Sequence, residues 1–458
     1  MFTIDREEPI TLNKVIRYIQ RHKSHCARFD MLDRYYRGKH NILERKKERS
    51  NLANNRVVCN HAKHITDTAA GYLTGNPVSY RGKQSQDITA LTDWLEAADS
   101  STQDMDLAKD ASIFGSAYEL LYLSDDDSPS PRLACFDPRK AFIVYDTTVE
   151  HRPVFGVYYY RLFDDEGRPS GYACWYATET HSYTFRMSEG FLVTGEQVKE
   201  ETNVFGEVPL IEYANNEERQ GDFEQVISLI DAYNVLQSDR INDKQQFVEA
   251  ILLIKGATMG DNADEASETY ARLKEFGVME LDESADATWL TRAMDESSVE
   301  ILRRSIEEDI HKFSAIPCMS DENFAGNTSG VAMKYKLLGF EQVTKIKERY
   351  FRDGLKKRIR LFCRIMQLKG MPLINPDDIE IVFSRNLPAN EVELAQVVST
   401  LSGMVTDRTL LSLLPFVQDP EAEAKALEKE KQQSMERQKQ AFVNTANTPP
   451  EEVTEDEK

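Results

Sequence analysis

Pro317-Cys318-Met319-Ser320-Asp321-Glu322-Asn323-Phe324-Ala325-Gly326-Asn327-Thr328-Ser329-Gly330 is a polar, glycine-containing stretch between two long helical patterns. Upstream, Val299, Leu302, Ile306, Ile310 and Phe313 recur at helical spacing behind a Ser297/Glu300 capping box. Pro317 stops that helix, because it cannot supply the next amide donor. Downstream, a helix is predicted from Val331 to about Lys369, closed by Gly370 and Pro372, with Val343, Ile346, Tyr350, Leu355, Ile359, Phe362 and Met366 along its apolar line. Gly326 to Gly330 could pass for a phosphate-binding loop. It lacks the lysine such loops use and does not follow a strand, so the pattern is helix, loop, helix.

Working toward the N-terminus, residues 257–295 form a small acidic insertion. Ala266 to Phe276 is predicted helical, and Gly277 to Leu281 and Ala287 to Thr291 are predicted strands. Before it stands another long helix, predicted from the N-cap Asp222, with Gln225 three residues on, through Phe223, Val226, Ile230, Tyr233 and Leu236 to Ile254, where Gly256 ends it. Between 131 and 213 the period changes to that of strands, at Ala141 to Tyr145, Val154 to Leu162, Gly171 to Thr178 and His181 to Met187. Asp164-Asp165-Glu166-Gly167 is a hairpin turn there, not a catalytic acidic cluster. Helices are predicted at 12–36, with Leu12, Val15, Ile16 and Ile19 on one face, at 60–74 and across 88–121. Beyond the long 331–369 helix come a strand at Ile379 to Phe383 and three further helices. The first is capped by Asn390 and Glu393, the second by Thr406 or Asp407, and the third starts at Asp419-Pro420; residues 449–458 are expected to be disordered. The fold class is α+β and mainly helical.

With 458 residues, 41% of them hydrophobic, the chain can bury a sizeable core in two to four domains. A mean hydropathy of -0.52 and the lack of a long apolar run exclude a membrane-spanning helix. Met1 to Pro9 has no signal-peptide pattern, so a cytoplasmic site of synthesis and assembly is expected. The six cysteines, Cys26, Cys59, Cys135, Cys174, Cys318 and Cys363, are scattered without a CxxC pair, which fits a reducing compartment.

The net charge of -21 opposes a coat of nucleic acid, which needs Lys and Arg to displace counterions. The charge is uneven. Residues 1–60 hold 14 Lys/Arg against 7 Asp/Glu, residues 257–330 hold 6 against 17, and residues 331–369 hold 12 against 3. No Walker loop and no GxSxG elbow occur. Cys59-x-His61-x-x-His64 would place two imidazoles on one helix face, but no further ligand stands nearby in sequence, and His22, His25 and Cys26 are similarly isolated. Asp261 to Glu265 lacks the glycine and final glutamate of an EF-hand loop. No catalytic residue, cofactor or metal is expected.

The same stretches carry a resemblance. Arg34-Tyr35-Tyr36-Arg37-Gly38-Lys39-His40, Asn55-Arg56-Val57-Val58, Asp67 to Pro77, Asp137-Pro138-Arg139, Asn215 to Glu218, Leu229 to Asn234, Gly326 to Lys336 and Leu413 to Val417 together resemble the portal proteins of long-tailed phages with a siphophage-type head-to-tail connector. None is a catalytic motif; their shared order over most of the chain makes the likeness. It implies a portal subunit, not an enzyme, in a twelve-fold ring at one capsid vertex. Double-stranded DNA would pass through the ring during packaging and ejection. Terminase, a head-completion adaptor, the major capsid protein and scaffolding protein would be its partners, with no membrane and no cofactor. It would reside in the virion, and in the host cytoplasm during assembly.

The resemblance also implies subdivisions. Residues 1–220 would be wing, 221–256 the first stem helix, 257–295 the clip, 296–316 the second stem helix and 317–330 the tunnel loop. Residues 331–389 would be the long wing helix and a returning strand, 390–448 the crown and 449–458 a disordered tail. Asp321, Glu322, Asn323, Phe324, Asn327, Thr328 and Ser329 of the tunnel loop are expected to approach passing DNA, because an acidic polar wall removes the phosphate attraction that would hold it. Asp261, Asp264, Glu265, Glu268, Glu283 and Asp286 are expected on the clip's docking surface. Lys345, Arg349, Arg352, Lys356 and Arg360 on the basic helix would face DNA or, the favoured reading, pair with acidic surface on a neighbouring subunit. The rival readings are a non-channel virion scaffold or adaptor and, less favoured, a nucleic-acid-processing enzyme.

Overall fold

In the computed structural model the described residues are 2–46, 53–83, 86–125, 129–248, 251–255, 262–276, 286–290, 296–318, 330–385, 391–414, 417 and 420–446. They fall into two units, one of residues 1–319 and 337–385, the other of residues 320–336 and 386–458. The class is α+β, as the pattern of the sequence predicts.

The first unit opens with β1 (Phe2–Ile4) and α1 (Leu12–Tyr36). α1 has 25 residues, about 37 Å at 1.5 Å per residue, long enough to serve two cores. Its Val15, Ile16 and Ile19 lie on a sheet, while Leu32 and Tyr35 join a separate cluster of helices. Next come α2 (His61–Thr74), capped by Asn60 Oδ1 accepting from the Lys63 amide at 3.0 Å, and β2 (Ser79–Gly82).

The helix predicted across 88–121 is three elements: α3 (Thr89–Ala97), α4 (Ser100–Phe114) and β3 (Ser116–Leu123). The break is at Gly115, whose φ of 88° is left-handed and whose missing Cβ would stand 1.9 Å from the Arg219 carbonyl oxygen. Ala117 to Leu121 is buried on both faces, Glu119 included, a case in which periodicity cannot separate strand from helix.

β3 forms a three-stranded sheet with β4 (Pro131–Phe136) and, later, β10 (Leu210–Ala214). β5 (Ala141–Asp146), β6 (Pro153–Phe163), β7 (Pro169–Ala177), β8 (His181–Met187) and β9 (Val193–Thr202) run antiparallel, and β1 pairs parallel to β5 at the edge. β5 is buried throughout. Phe142 and Val144 face α1, while Ala141, Ile143 and Tyr145 face the smaller sheet, which removes the alternation of a half-buried strand. The predicted hairpin turn is present: Asp164 Oδ1 accepts from the amides of Glu166 and Arg168, and Gly167 takes φ 75°.

Then follow α5 (Ile227–Val248), β11 (Ile251–Lys255), α6 (Ala263–Phe276), β12 (Asp286–Leu290), α7 (Glu296–Ser314), α8 (Gly330–Leu368) and β13 (Ile379–Val382), which pairs with β2. Two boundaries differ from expectation. Ile251 to Lys255 does not continue α5 but pairs antiparallel with Asp286 to Leu290; a short apolar run of this kind does not by its spacing separate strand from helix. The predicted strand at 277–281 lies outside the described residues. Asp222 does not cap α5. Its carboxylate takes Ser112 Oγ at 2.6 Å, Asn215 Nδ2 at 2.7 Å and Lys347 Nζ at 2.5 Å, and a 3-10 turn at Glu224–Val226 leads into the helix.

The second half of α8 is core: Phe351, Leu355, Ile359, Phe362 and Met366 are buried among α3, α4 and β10, and Gly354 lets the Tyr213 ring lie flat on the helix. The first half of the predicted apolar line is not, and Ile346 is half exposed. In the second unit stand α9 (Glu391–Leu401), α10 (Asp407–Ser412) with Thr406 as its N-cap, and α11 (Pro420–Ala446), with proline at its first position as expected. Among the described residues no helix is long and apolar enough to cross a membrane.

Candidate functional site

α5 and α7 form a helix pair joined along one edge by ions. Arg240 of α5 reaches Glu296 at 3.3 Å and Glu300 at 3.0 Å, and Lys244 reaches Glu296 at 3.1 Å. On α7, Arg303 holds Glu300 at 2.7 Å and Glu307 at 2.5 Å, and donates to Tyr233 Oη of α5 at 3.2 Å. The hydrogen bond from Arg303, with the charge of Arg240, keeps the Glu300 carboxyl at about 2. Three of the helix's acidic residues, Glu296, Glu300 and Glu307, are thus spent on cations of the same subunit, which the acidic excess counted over residues 257–330 does not show. The outward side of α7 is mixed. Ser297, Ile301, Arg304, Ser305 and Glu308 line a shallow groove, and Ile301 is 71% and Phe313 59% exposed.

A polar stripe fastens α5 to the body. Asn234, Ser238 and Asn242 recur every four residues and are buried. Asn234 Oδ1 accepts from the Cys59 amide at 2.8 Å, Ser238 Oγ from the Val57 amide at 3.0 Å, and Asn242 Oδ1 from the Asn55 amide at 2.7 Å. An extended segment at 55–59 thereby gets from side chains the partners a neighbouring strand would give. Asn234 Nδ2 also donates to His40 Nδ1 at 2.8 Å, and His40 Nε2 donates to the Tyr35 carbonyl at 2.9 Å. Sequence reasoning missed this stripe. Its only signal is a polar residue at each fourth position of an otherwise apolar face.

The basic residues of α8 divide. Lys345 pairs with Glu341 at 3.8 Å, Lys356 with Asp353 at 3.8 Å and Arg360 with Glu207 at 3.4 Å, and all three remain mostly exposed. Arg352 pairs with Glu348 and lies over the Phe383 ring, and Arg349 is exposed. Two basic residues the sequence reading passed over are inside the subunit. Lys347 reaches Asp222, and Arg358, fully buried, makes a two-pronged contact with Glu119 at 2.7 and 2.9 Å and approaches Asp104 at 2.7 Å. Part of the helix's positive charge is therefore neutralised at home.

In the insertion, Asp264 and Glu265 occupy the first turn of α6, where acidic side chains meet the positive helix end. Asn262 caps it: its Oδ1 accepts from the Glu265 amide at 3.0 Å, and its Nδ2 donates to Glu265 Oε1 at 3.0 Å. Glu268 pairs with Arg272 at 2.8 Å, and Asp286 opens β12. Asp261, Glu283 and the loop residues Asp321, Glu322, Asn323, Phe324, Asn327, Thr328 and Ser329 lie outside the described residues.

The histidines flagged by spacing have different fates. His22 is a core residue, stacked on Phe142 and bonded through Nδ1 to Tyr159 Oη at 2.9 Å; burial pushes its pKa down to about 4. His61 packs edge-on to Tyr233 and is likewise lowered by burial to about 4. His61 and His64 both face His311 of α7, with ring centroids at 6.2 and 5.9 Å.

The described residues thus form an α+β body with a helix pair joined by ions and exposed apolar residues on α7. Residues 16–437 match the family described as phage portal protein, SPP1 Gp6-like, and the chain belongs to that family. It is 26% identical over 407 residues to the portal protein of Bacillus phage SPP1, covering 84% of this chain and 78% of that one. It is 24% identical over 427 residues to the portal protein of Clostridium phage phiCD119, covering 87% and 92%. Among solved structures it is similar to the neck of the empty gene transfer agent particle (TM-score 0.46, 12% identity, 77% of this chain and 89% of that one) and to the neck of the native particle with C12 symmetry (TM-score 0.40, 12% identity, 77% and 88%). The family is structural rather than enzymatic, and the chain is a virion-associated portal subunit.

Proposed function

We propose that this subunit assembles into a twelve-membered ring at one capsid vertex, and that the ring is the channel for DNA packaging and ejection and the platform for terminase and a head-completion adaptor. The observation that carries this is the family match across residues 16–437, which takes in the helix pair, the insertion and the long helix together. In this reading α5 and α7 are the stem, residues 257–295 the clip, 317–330 the tunnel loop, α8 the helix that crosses the wing, and residues from 390 on the crown. The exposed apolar residues of α7 support ring packing, since a water-facing isoleucine and phenylalanine on one helix gain from a neighbour. Exposed Lys345, Arg349, Lys356 and Arg360 meet acidic surface of the next subunit. Asp264, Glu265, Glu268 and Asp286 belong to the docking end. Asp321, Glu322, Asn323, Phe324, Asn327, Thr328 and Ser329 approach the DNA, where carboxylates repel phosphate and let the duplex slide. Substitution of both Asp321 and Glu322 by lysine is expected to slow packaging in a purified packaging reaction while rings still form. Unchanged packaging speed would remove these residues from the channel wall.

A further inference from the structure

Glu307 and His311 stand four residues apart on α7 and so share one face of its last turns. The helix ends at Ala315, a left-handed residue with φ 56°, and the turn brings Ile316 back so that its carbonyl accepts from His311 Nδ1 at 3.1 Å. That bond leaves Nε2 with its lone pair, the arrangement in which imidazole serves as a ligand. Two residues on, Cys318 closes the group. One ligand atom each from Glu307, His311 and Cys318 lies within 4.8 Å of the other two. His64 of α2 adds a second imidazole, its ring centroid 5.9 Å from that of His311.

We propose that Glu307, His311, Cys318 and His64 form a binding site for a divalent transition metal ion, with zinc the ion the donor set fits. Thiolate and imidazole exclude magnesium and calcium, which take oxygen ligands. In a tetrahedral zinc site the bond lengths place ligand atoms roughly 3.3 to 3.8 Å apart. The three residues need to close by about an ångström, and His64 is exposed and turns in to complete four. Arg303 engages Oε2 of Glu307, which leaves Oε1 for the ion. Binding takes the proton from the Cys318 thiol, which leaves to solvent as the sulfur–metal bond forms. The ion ties the chain leaving α7 to α2 of the body. That this anchors a stem helix rests on the function proposed above; uptake of the ion does not.

The test uses the full-length protein stripped with a chelator and titrated with Co2+ as the probe. The expected result is a thiolate-to-cobalt charge-transfer band that saturates at one ion per chain and is abolished by Zn2+. Cys318→Ser should lose the band, and His311→Ala, Glu307→Gln and His64→Ala should each weaken binding by about tenfold or more, with circular dichroism unchanged. No charge-transfer band in the unmodified chain, or the same band in Cys318→Ser, would overturn the site. Unchanged affinity in His64→Ala would overturn the four-ligand assignment. None of these readouts depends on ring formation, so failure here is distinct from failure of the channel reading.

Discussion

Arg358 and Glu119 have no exposed side-chain surface, and Asp104 beside them is almost as buried. An ion pair out of water is stable only while both partners remain, because the survivor keeps the desolvation cost without the attraction. Arg358→Ala is therefore expected to lower unfolding free energy by about 3 to 5 kcal/mol, read by denaturant titration. Arg360→Ala, on the exposed side of the same helix, should change it little. His22 supplies a pH dependence. Its folded pKa of about 4 lies below the ordinary 6.5, so the unfolded chain binds the proton more tightly. Stability is complete above pH 6.5 and falls as pH drops toward 4, by up to about 3 kcal/mol. His22→Phe should flatten the slope of melting temperature between pH 6.5 and 4; an equal slope in the variant would assign the acid sensitivity elsewhere. The sequence shows a cluster of basic residues at 356–360 but not which of them turns inward. Residue 358 is about 200° round the helix from 356, so one exposed side implies that the other faces the core.

Elements were legible where one periodicity rules and obscure where burial on two faces removes it. α1, α2, α8 and the strands of the larger sheet stand close to where spacing places them. β3 was hidden because it is buried on both faces, Glu119 included, and β11 because it follows α5 after a short gap and is read as that helix's continuation, while its partner β12 stands at the predicted strand 287–291. α5 therefore reaches only Val248 as described. Its polar stripe makes a prediction. Asn234→Ala removes the partner of the Cys59 amide and of His40 Nδ1, and the loss should be about 1 to 3 kcal/mol in thermal or denaturant unfolding. A loss below about 0.5 kcal/mol would mean that water replaces the side chain.

At the scale of the whole molecule, the candidate surfaces were legible as charge blocks but not as contacts. Sequence composition marks 257–330 as acidic and 331–369 as basic, and the structure then returns part of each to pairs inside the subunit, at Glu296, Glu300 and Glu307 on one side and Lys347 and Arg358 on the other. Of the proposed metal site, Glu307, His311 and Cys318 are near one another in sequence, and only His64 comes from far off, its ring meeting that of His311 where α2 faces α7. Assembly should depend on the outward side of α7. Ile301→Glu together with Phe313→Glu is expected to leave the subunit folded and to block rings. The most direct measurement is electron microscopy of the purified, unmodified chain, viewed down its symmetry axis. The account predicts closed rings with an axial hole wide enough for duplex DNA, replaced by single subunits in the double variant. Solid particles, or single subunits at every concentration and salt, would contradict it.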